Sequence, residues 1–258
     1  MSFCIPGTIT IHQPHFIPWL PYIARTAAAS TFVVLDNVQY RKRYFENRAL
    51  IRSSPNSSSF RWLVVPVTSS TSLTIRDVTI TASNSIRKFI NAMQNSYSKA
   101  PHFESLWPTF ESVLNQHFNS LLDLNLALLA TIFQLLNIRM PRMFMSSALS
   151  STQFRTKRII EICRSLELNN VLIGWGASRR IHDMRQLHKC GINFISIPRG
   201  NNLWRIFKDQ PGLSILDTMF IEGPDIVVEQ IADFACEYQK LCSSASLEKT
   251  LSYVRKNE

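Results

Sequence analysis

The chain has 258 residues, 45% of them hydrophobic, with 16 Phe and 5 Trp, and 28 Lys+Arg against 18 Asp+Glu give it a formal charge of +10. That apolar content suffices for a sizeable core and excludes an intrinsically disordered chain. The basic balance favours anionic partners (nucleotides, phosphorylated small molecules, nucleic acid or an acidic membrane face) without choosing among them.

Five cysteines, Cys4, Cys163, Cys190, Cys236 and Cys242, are scattered with no CxxC pair. This argues for a reducing compartment and against a disulfide frame or zinc knuckle. Cys163 and Cys236 lie in helix-like patterns and are expected in the core. The opening MSFCIPGTIT has neither the basic nor the apolar region of a signal peptide, so a cytoplasmic location is expected. The most apolar stretch, Leu121 to Ile138, carries Asp123, Asn125, Gln134 and Asn137, which suit a buried helix better than a membrane span.

In chain order, Thr8 to His12 alternates as a strand and stops at His12-Gln13-Pro14. Trp19 to Ser30 has helical spacing, and Thr31 to Asp36 is an apolar run of strand length. Strand, loop, helix, strand in so few residues is a βαβ unit, with parallel strands and a right-handed crossover. The segment NVQYRKRYFENRALIR is polar, basic and aromatic. Phe60 to Val67 reads as a strand, and Leu73 to Thr81 alternates as an edge strand would.

The middle is helical: Ile86, Phe89, Ile90 and Met93 share a face, as do Phe103, Trp107, Phe110 and Leu114, and Ser120 to Asn137 is the buried helix. Pro108 requires a first-turn position or a kink. The last third returns to α/β. A helix capped by Ser151 or Thr152 buries Ile159, Cys163 and Leu166; Val171 to Ile173 is a strand; Ser178 to Lys189 is a helix stopped by Gly191. Ile192 to Ile197 is a further strand, and Pro224 opens a helix with Val227, Ile231, Phe234, Tyr238 and Leu241 on one face. The expected fold is α/β: a mostly parallel Rossmann-like sheet in one domain over 1–258, with βα units at both ends and a helical insertion or cap at about 83–140.

Four stretches carry candidate chemistry. His12, Gln13 and His15 fall at the carboxyl end of the first strand, where such sheets place ligands, in a loop stiffened by Pro14 and Pro18. The next helix start, Trp19 to Tyr22, offers amide donors to an anion. Asp36 ends the second strand and can orient a histidine or act as a base; Gln39, Arg43, Asn47 and Arg48 follow, and the arginine fork suits phosphate or carboxylate. Gly174 and Gly176 bracket a strand-to-helix turn where backbone can approach a ligand, equally a plain tight turn. In LSILDTMF, Leu213, Leu216 and Phe220 have helical spacing, and Asp217 reads either as a first-turn charge or as a buried partner of an arginine. No nucleophile elbow, HExxH or cysteine ligand set is present, and no metal is expected.

HQPHFIPW near the N-terminus, LDNVQYRKRYFENR at Leu35 to Arg48, YSKAPHF at Tyr97 to Phe103, Ser146-Ser147, GWG at Gly174 to Gly176 and LSILDTMFIEG at Leu213 to Gly223 together resemble the WbqC-like protein family along almost the whole chain. The resemblance implies a family often encoded beside O-antigen and other lipopolysaccharide genes, whose members transfer glycine or a similar acyl group to an amino sugar. By position it implies site roles for His12, Gln13, Asp36, Gln39, Arg43, Asn47, Arg48, Gly174, Gly176, Ser214 and Asp217. The chain departs from the family at Asn37, where a second Asp is usual, and at Arg179 to His182, where tyrosines are usual. It departs again in Pro198 to Pro211, where a Pro-x-Tyr-x-Gln segment is lost or shortened.

The expected function is therefore acyl or aminoacyl transfer to a nucleotide-linked amino sugar, with His12 as base, Asp36 orienting it, and Arg43 and Arg48 holding an anion. The small-molecule partner is anionic or phosphorylated, and the co-reactant is a nucleotide or an activated acyl donor. Competing expectations are an adenylating enzyme and a non-catalytic RNA- or phosphate-binding protein.

Overall fold

The computed structural model describes residues 1–68, 72–81, 83–149, 153–174, 181–198, 201–203 and 212–257, the side chains of 83–85 and 245–257 excepted. Five strands form one parallel sheet: β1 (Ile5–His12), β2 (Ala29–Val34), β5 (Arg142–Met145), β6 (Asn170–Leu172) and β7 (Asn193–Ile195), in the order β5-β2-β1-β6-β7. The sequence-predicted parallel α/β sheet is thus present.

The Thr-Ile-Thr-Ile run makes β1 a strand, and Gly7, at φ 72°, sits where its register with β2 shifts. Helix α1 (Leu20–Ala28) is the crossover to β2, and all nine of its residues are buried. The order changes direction at β1. The chain moves outward to β2 and β5, then returns to the other side of β1 for β6 and β7. The gap between the carboxyl ends of β1 and β6 is the switch point at which open α/β sheets bind ligands.

Both faces are covered, as parallel sheets require. On one face Phe32, Val34, Leu172 and Ile195 pack with α1, with α7 (Ile215–Ile221) and with α8 (Pro224–Asn257). On the other, Ile9, Val33, Val171 and Ile173 meet Ile159, Ile162 and Cys163 of α5 (Arg155–Ser165) and Leu187 of α6 (Met184–Lys189). Cys163 is buried as expected. Cys236 is exposed, because α8 turns Val227, Ile231, Phe234 and Tyr238 to the core and leaves Cys236 on its outer side.

An antiparallel ribbon, β3 (Arg48–Arg52) with β4 (Phe60–Val64), and three helices, α2 (Ser83–Tyr97), α3 (Phe103–Leu114) and α4 (Leu121–Leu135), lie between β2 and β5 in sequence. Ser120 caps α4 by accepting from the Asp123 amide at 3.2 Å. Pro108 lies inside α3, past the first turn.

Two expectations change. Leu73 to Thr81 is no strand but a 3-10 turn at Ile75–Asp77 with isolated bridges on either side, because Ile75 and Val78, three apart, both enter the core. The N-cap of α5 is Phe154 and that of α6 is Asp183, whose side chain accepts from the Gln186 amide; the expected capping residues Ser151 and Thr152, and Ser178, lie outside the described residues. Among the described residues no helix is long and apolar enough to cross a membrane.

Candidate functional site

The site is built where β1 ends. Pro14 and Pro18 stiffen the connection to α1, and its backbone is held by two long-range bonds: Phe16 N–H donates to the Phe45 carbonyl at 2.8 Å, and Ile215 N–H donates to the Pro18 carbonyl at 2.9 Å. The loop is therefore clamped between the segment before β3 and the start of α7.

His12 is half-buried at the end of β1. Its Nδ1 lies 3.0 Å from the Gln13 carbonyl oxygen, which can only accept, so Nδ1 carries the proton and Nε2 holds a lone pair. The Tyr22 hydroxyl donates to the same carbonyl at 3.0 Å. Burial, then the nearby Arg25 charge, push the His12 pKa down to about 3, against a smaller rise from the Gln13 bond. His12 is a neutral imidazole at physiological pH. His15 is 5% exposed and sandwiched between Tyr22, 4.8 Å away, and Phe45, 5.3 Å away, with both ring nitrogens lacking a hydrogen-bond partner. Burial, then the His12 and Arg25 charges, hold it neutral as well.

Arg25, which belongs to none of the sequence motifs, sits at the switch point. It is 6% exposed, its Nε donates to Thr10 Oγ1 at 3.0 Å, and Thr10 Oγ1 donates to the Leu172 carbonyl of β6 at 3.1 Å. A Cβ added to Gly174 would lie 2.6 Å from Arg25 Nη1, so the glycine after β6 makes room for the guanidinium. No carboxylate among the described residues lies within salt-bridge distance of Arg25. A buried cation without a counterion is costly, and this one occupies the place where the fold binds ligands. Its signal in the sequence was a single charge amid Ala24, Ala27 and Ala28 on a helix with no polar face.

Asp36 follows β2. Its carboxylate accepts from Ser146 Oγ at 2.9 Å, Ser147 N–H at 2.9 Å and Ser147 Oγ at 2.5 Å. Burial raises its pKa, but the bonds from Ser147 and Ser146 outweigh burial and hold it below the usual value. Asp36 thus fastens the end of β2 to the turn after β5 rather than hydrogen-bonding His12. Asn37, beside it, accepts from Arg158 Nη1 at 3.2 Å and lies 2.6 Å from Ser146 Oγ; that hydroxyl has one proton to share between Asp36 and Asn37.

The other expected site residues separate. Gln39 is exposed and bridges to Thr74, and Arg43 is exposed at φ 59°. Arg48 stacks 4.0 Å over the Trp62 ring, and Asn47 is buried, donating to the Val65 carbonyl at 2.9 Å. Gln39 and Arg43 thus lie at the surface, whereas Asn47 is buried and Arg48 half-buried where β3 begins. Gly176 lies outside the described residues.

Ser214 and Asp217 belong to a brace. Ser214 caps α7 and its N–H donates to the Leu50 carbonyl at 2.9 Å. Asp217 accepts from Arg52 Nη2 at 3.1 Å and from the Tyr97 hydroxyl at 2.6 Å, the arginine partner that was one of its two sequence readings.

The groups that do gather at the switch point are His12, His15, the Gln13 carbonyl, Tyr22, Arg25 and Gly174. They can hold an anion on Arg25 and accept a proton at His12 Nε2.

The chain is 28% identical over 228 residues to the "Uncharacterized protein Rv1507c" of Mycobacterium tuberculosis (strain ATCC 25618 / H37Rv), covering 84% of this chain and 96% of the relative. No solved structure matches. The WbqC-like protein family matches residues 13–229, from the loop after β1 into α8, and the chain belongs to that family.

Proposed function

We propose that the protein is a transferase that forms an amide on a nucleotide-linked amino sugar, with a phosphate of that substrate on Arg25 and the reacting amine at His12. The observation that carries this reading is the buried guanidinium of Arg25 at the β1–β6 switch point, with no carboxylate in salt-bridge distance among the described residues, beside Gly174 and the neutral His12. Arginine suits phosphate because its fork donates two parallel hydrogen bonds.

In the reaction, the amine nitrogen attacks the carbonyl carbon of an activated acyl donor and forms the N–C bond. The bond from that carbon to the leaving group breaks, and the leaving group takes its electron pair. His12 Nε2 takes the amine proton. Arg25 is the charge that lowers His12 after burial itself, so a phosphate on Arg25 makes His12 more basic when substrate is in place. Positioning and one base suffice for this chemistry.

The test is titration calorimetry with nucleoside diphosphate sugars, paired with mass-spectrometric detection of the amide. Arg25→Gln should weaken binding by about 2 kcal/mol, roughly thirtyfold. His12→Ala should bind but not turn over. Unchanged affinity in Arg25→Gln sinks the assignment. An adenylating enzyme is the second reading, favoured by the His12–His15 edge-to-face pair, 4.7 Å between ring centroids, directly after β1; release of pyrophosphate from ATP would separate it from the first.

A further inference from the structure

Among the described residues, Arg25 is not the only charge-bearing group buried without an opposite charge in salt-bridge distance. Glu46 is 0% exposed, and among the described residues no other residue hydrogen-bonds its carboxylate oxygens, its own backbone N–H being the one donor that acts on them. It lies in the segment that clamps the His12-to-Pro18 loop: the residue before it accepts from Phe16 N–H, and its own carbonyl accepts from Asn125 Nδ2 at 2.8 Å. The same Asn125 Nδ2 reaches the Pro14 carbonyl at 3.3 Å, so one amide ties Glu46 to the histidine loop.

Around it the unsatisfied buried atoms are mostly acceptors. They are both Glu46 oxygens, Asn47 Oδ1 and Asn125 Oδ1, with the two His15 nitrogens, of which a neutral ring offers one as an acceptor. The donors among them are the other His15 nitrogen and Arg48 Nε, whose guanidinium is turned onto Trp62. Leaving a buried acceptor empty costs about 1–3 kcal/mol, and more for a carboxyl group. The Arg41 and Arg48 charges act on Glu46 too, but less than burial does, so the set remains richer in acceptors than in donors and suits a ligand that brings several N–H groups.

Its placement relative to the anion site is set by Tyr22. The Tyr22 ring stacks on His15 and meets His12 edge-on at 5.2 Å, and Arg25 lies 5.7 Å from its centroid. Burial raises the Tyr22 phenol, Arg25 lowers it and Glu46 raises it, so both charges act on one ring. Arg25 and Glu46 nevertheless form no ion pair.

We propose that Glu46, with His15, is the recognition group for the primary amine of the substrate, binding it as an ammonium or as a hydrogen-bond donor next to His12, while Arg25 takes the anionic end. This rests on reading the site as one that acylates or delivers an amine. The amine can belong to the amino-sugar acceptor or to an aminoacyl donor, and both present the same chemistry to Glu46.

Two ligand pairs separate these sources, each differing by an amino group: UDP-glucosamine against UDP-glucose, and glycinamide against acetamide. Dissociation constants are measured by calorimetry on wild type and on Glu46→Gln, with folding of the variant checked by thermal melting. Wild type should prefer the amine of one pair at least tenfold, and Glu46→Gln should lose that preference while still binding UDP-glucose. Preference in the first pair places the amine on the acceptor, and in the second on the donor. Equal binding within both pairs by wild type, or a preference that Glu46→Gln retains, overturns the inference and leaves the Arg25 assignment standing. Failure of wild type to bind either nucleotide sugar overturns both.

Discussion

Gly174 shows how a single residue type is chosen by a neighbour far away in sequence. With hydrogen at this position the Arg25 guanidinium fits under the end of β6; with a methyl group it meets an atom at 2.6 Å. The atom it meets is the tip of a side chain, so the backbone can stay while the arginine shifts. Gly174→Ala should therefore cost less than about 2 kcal/mol in stability, the usual range for modest overpacking. Its effect on binding should be larger in proportion, because the displaced fork no longer presents two donors to a phosphate. A denaturant melt and a nucleotide-sugar titration on the same variant check this, and a stability loss with intact affinity would contradict it. The glycine itself was legible in the sequence. Its reason was not, since Arg25 and Gly174 are brought together only when β6 lies beside β1.

At the scale of elements, α7 is the brace that holds the site loop and the ribbon together. Its start hydrogen-bonds Pro18 on one side and Leu50 on the other, and Asp217 reaches Arg52 of β3 and Tyr97 of α2 at once. Tyr97 in turn accepts from the Arg52 N–H at 3.0 Å, which closes the network. Removing the buried member strands a phenol and a part-buried guanidinium. Asp217→Ala should destabilise by about 2–4 kcal/mol, and Tyr97→Phe by about 1 kcal/mol. Urea denaturation measures both, and a neutral Asp217→Ala would show that the network is ornamental. The helical spacing of Leu213, Leu216 and Phe220 made α7 readable. The role of Asp217 depends on partners 120 and 165 residues away and was open to two readings until the chain was folded.

At the scale of the whole molecule, the buried titratable groups set opposing pH dependences. His12 and His15 are held neutral in the fold, His12 at about 3 against an ordinary value of 6.5. The unfolded chain thus binds more protons below pH 6.5, and the stability these groups contribute is present above that value and lost as pH falls. Each can contribute a slope of up to about 1.4 kcal/mol per pH unit. Glu46 works the other way. Burial raises its pKa to about 7 from 4.5, so its contribution is present below 4.5 and lost as pH rises through 7. Between pH 4.5 and 6.5 it offsets one of the two histidines. Glu46→Gln should therefore raise the melting temperature at pH 7.5 and steepen the loss between pH 6.5 and 5. Melts across that range test this, and parallel curves for wild type and variant would refute it.

By itself the sequence determined the local elements: the β-branched run of β1, the apolar β2, the buried helix from Leu121 and the Pro-opened α8 follow from periodicity and side-chain shape. It also determined the family, because the HQPH, LDNVQY and LSILD motifs keep their types and order. Periodicity is local, and so is the information that motifs carry. The tertiary structure alone decided the strand order, and with it which loop ends share the switch point. That is why Asp36 binds two serines from beyond β5 instead of His12, and why Arg43 and Gln39 lie on the surface. The burial of Arg25 and of Glu46 is likewise set by what packs around them, and that is a property of a packed interior, which no local pattern encodes.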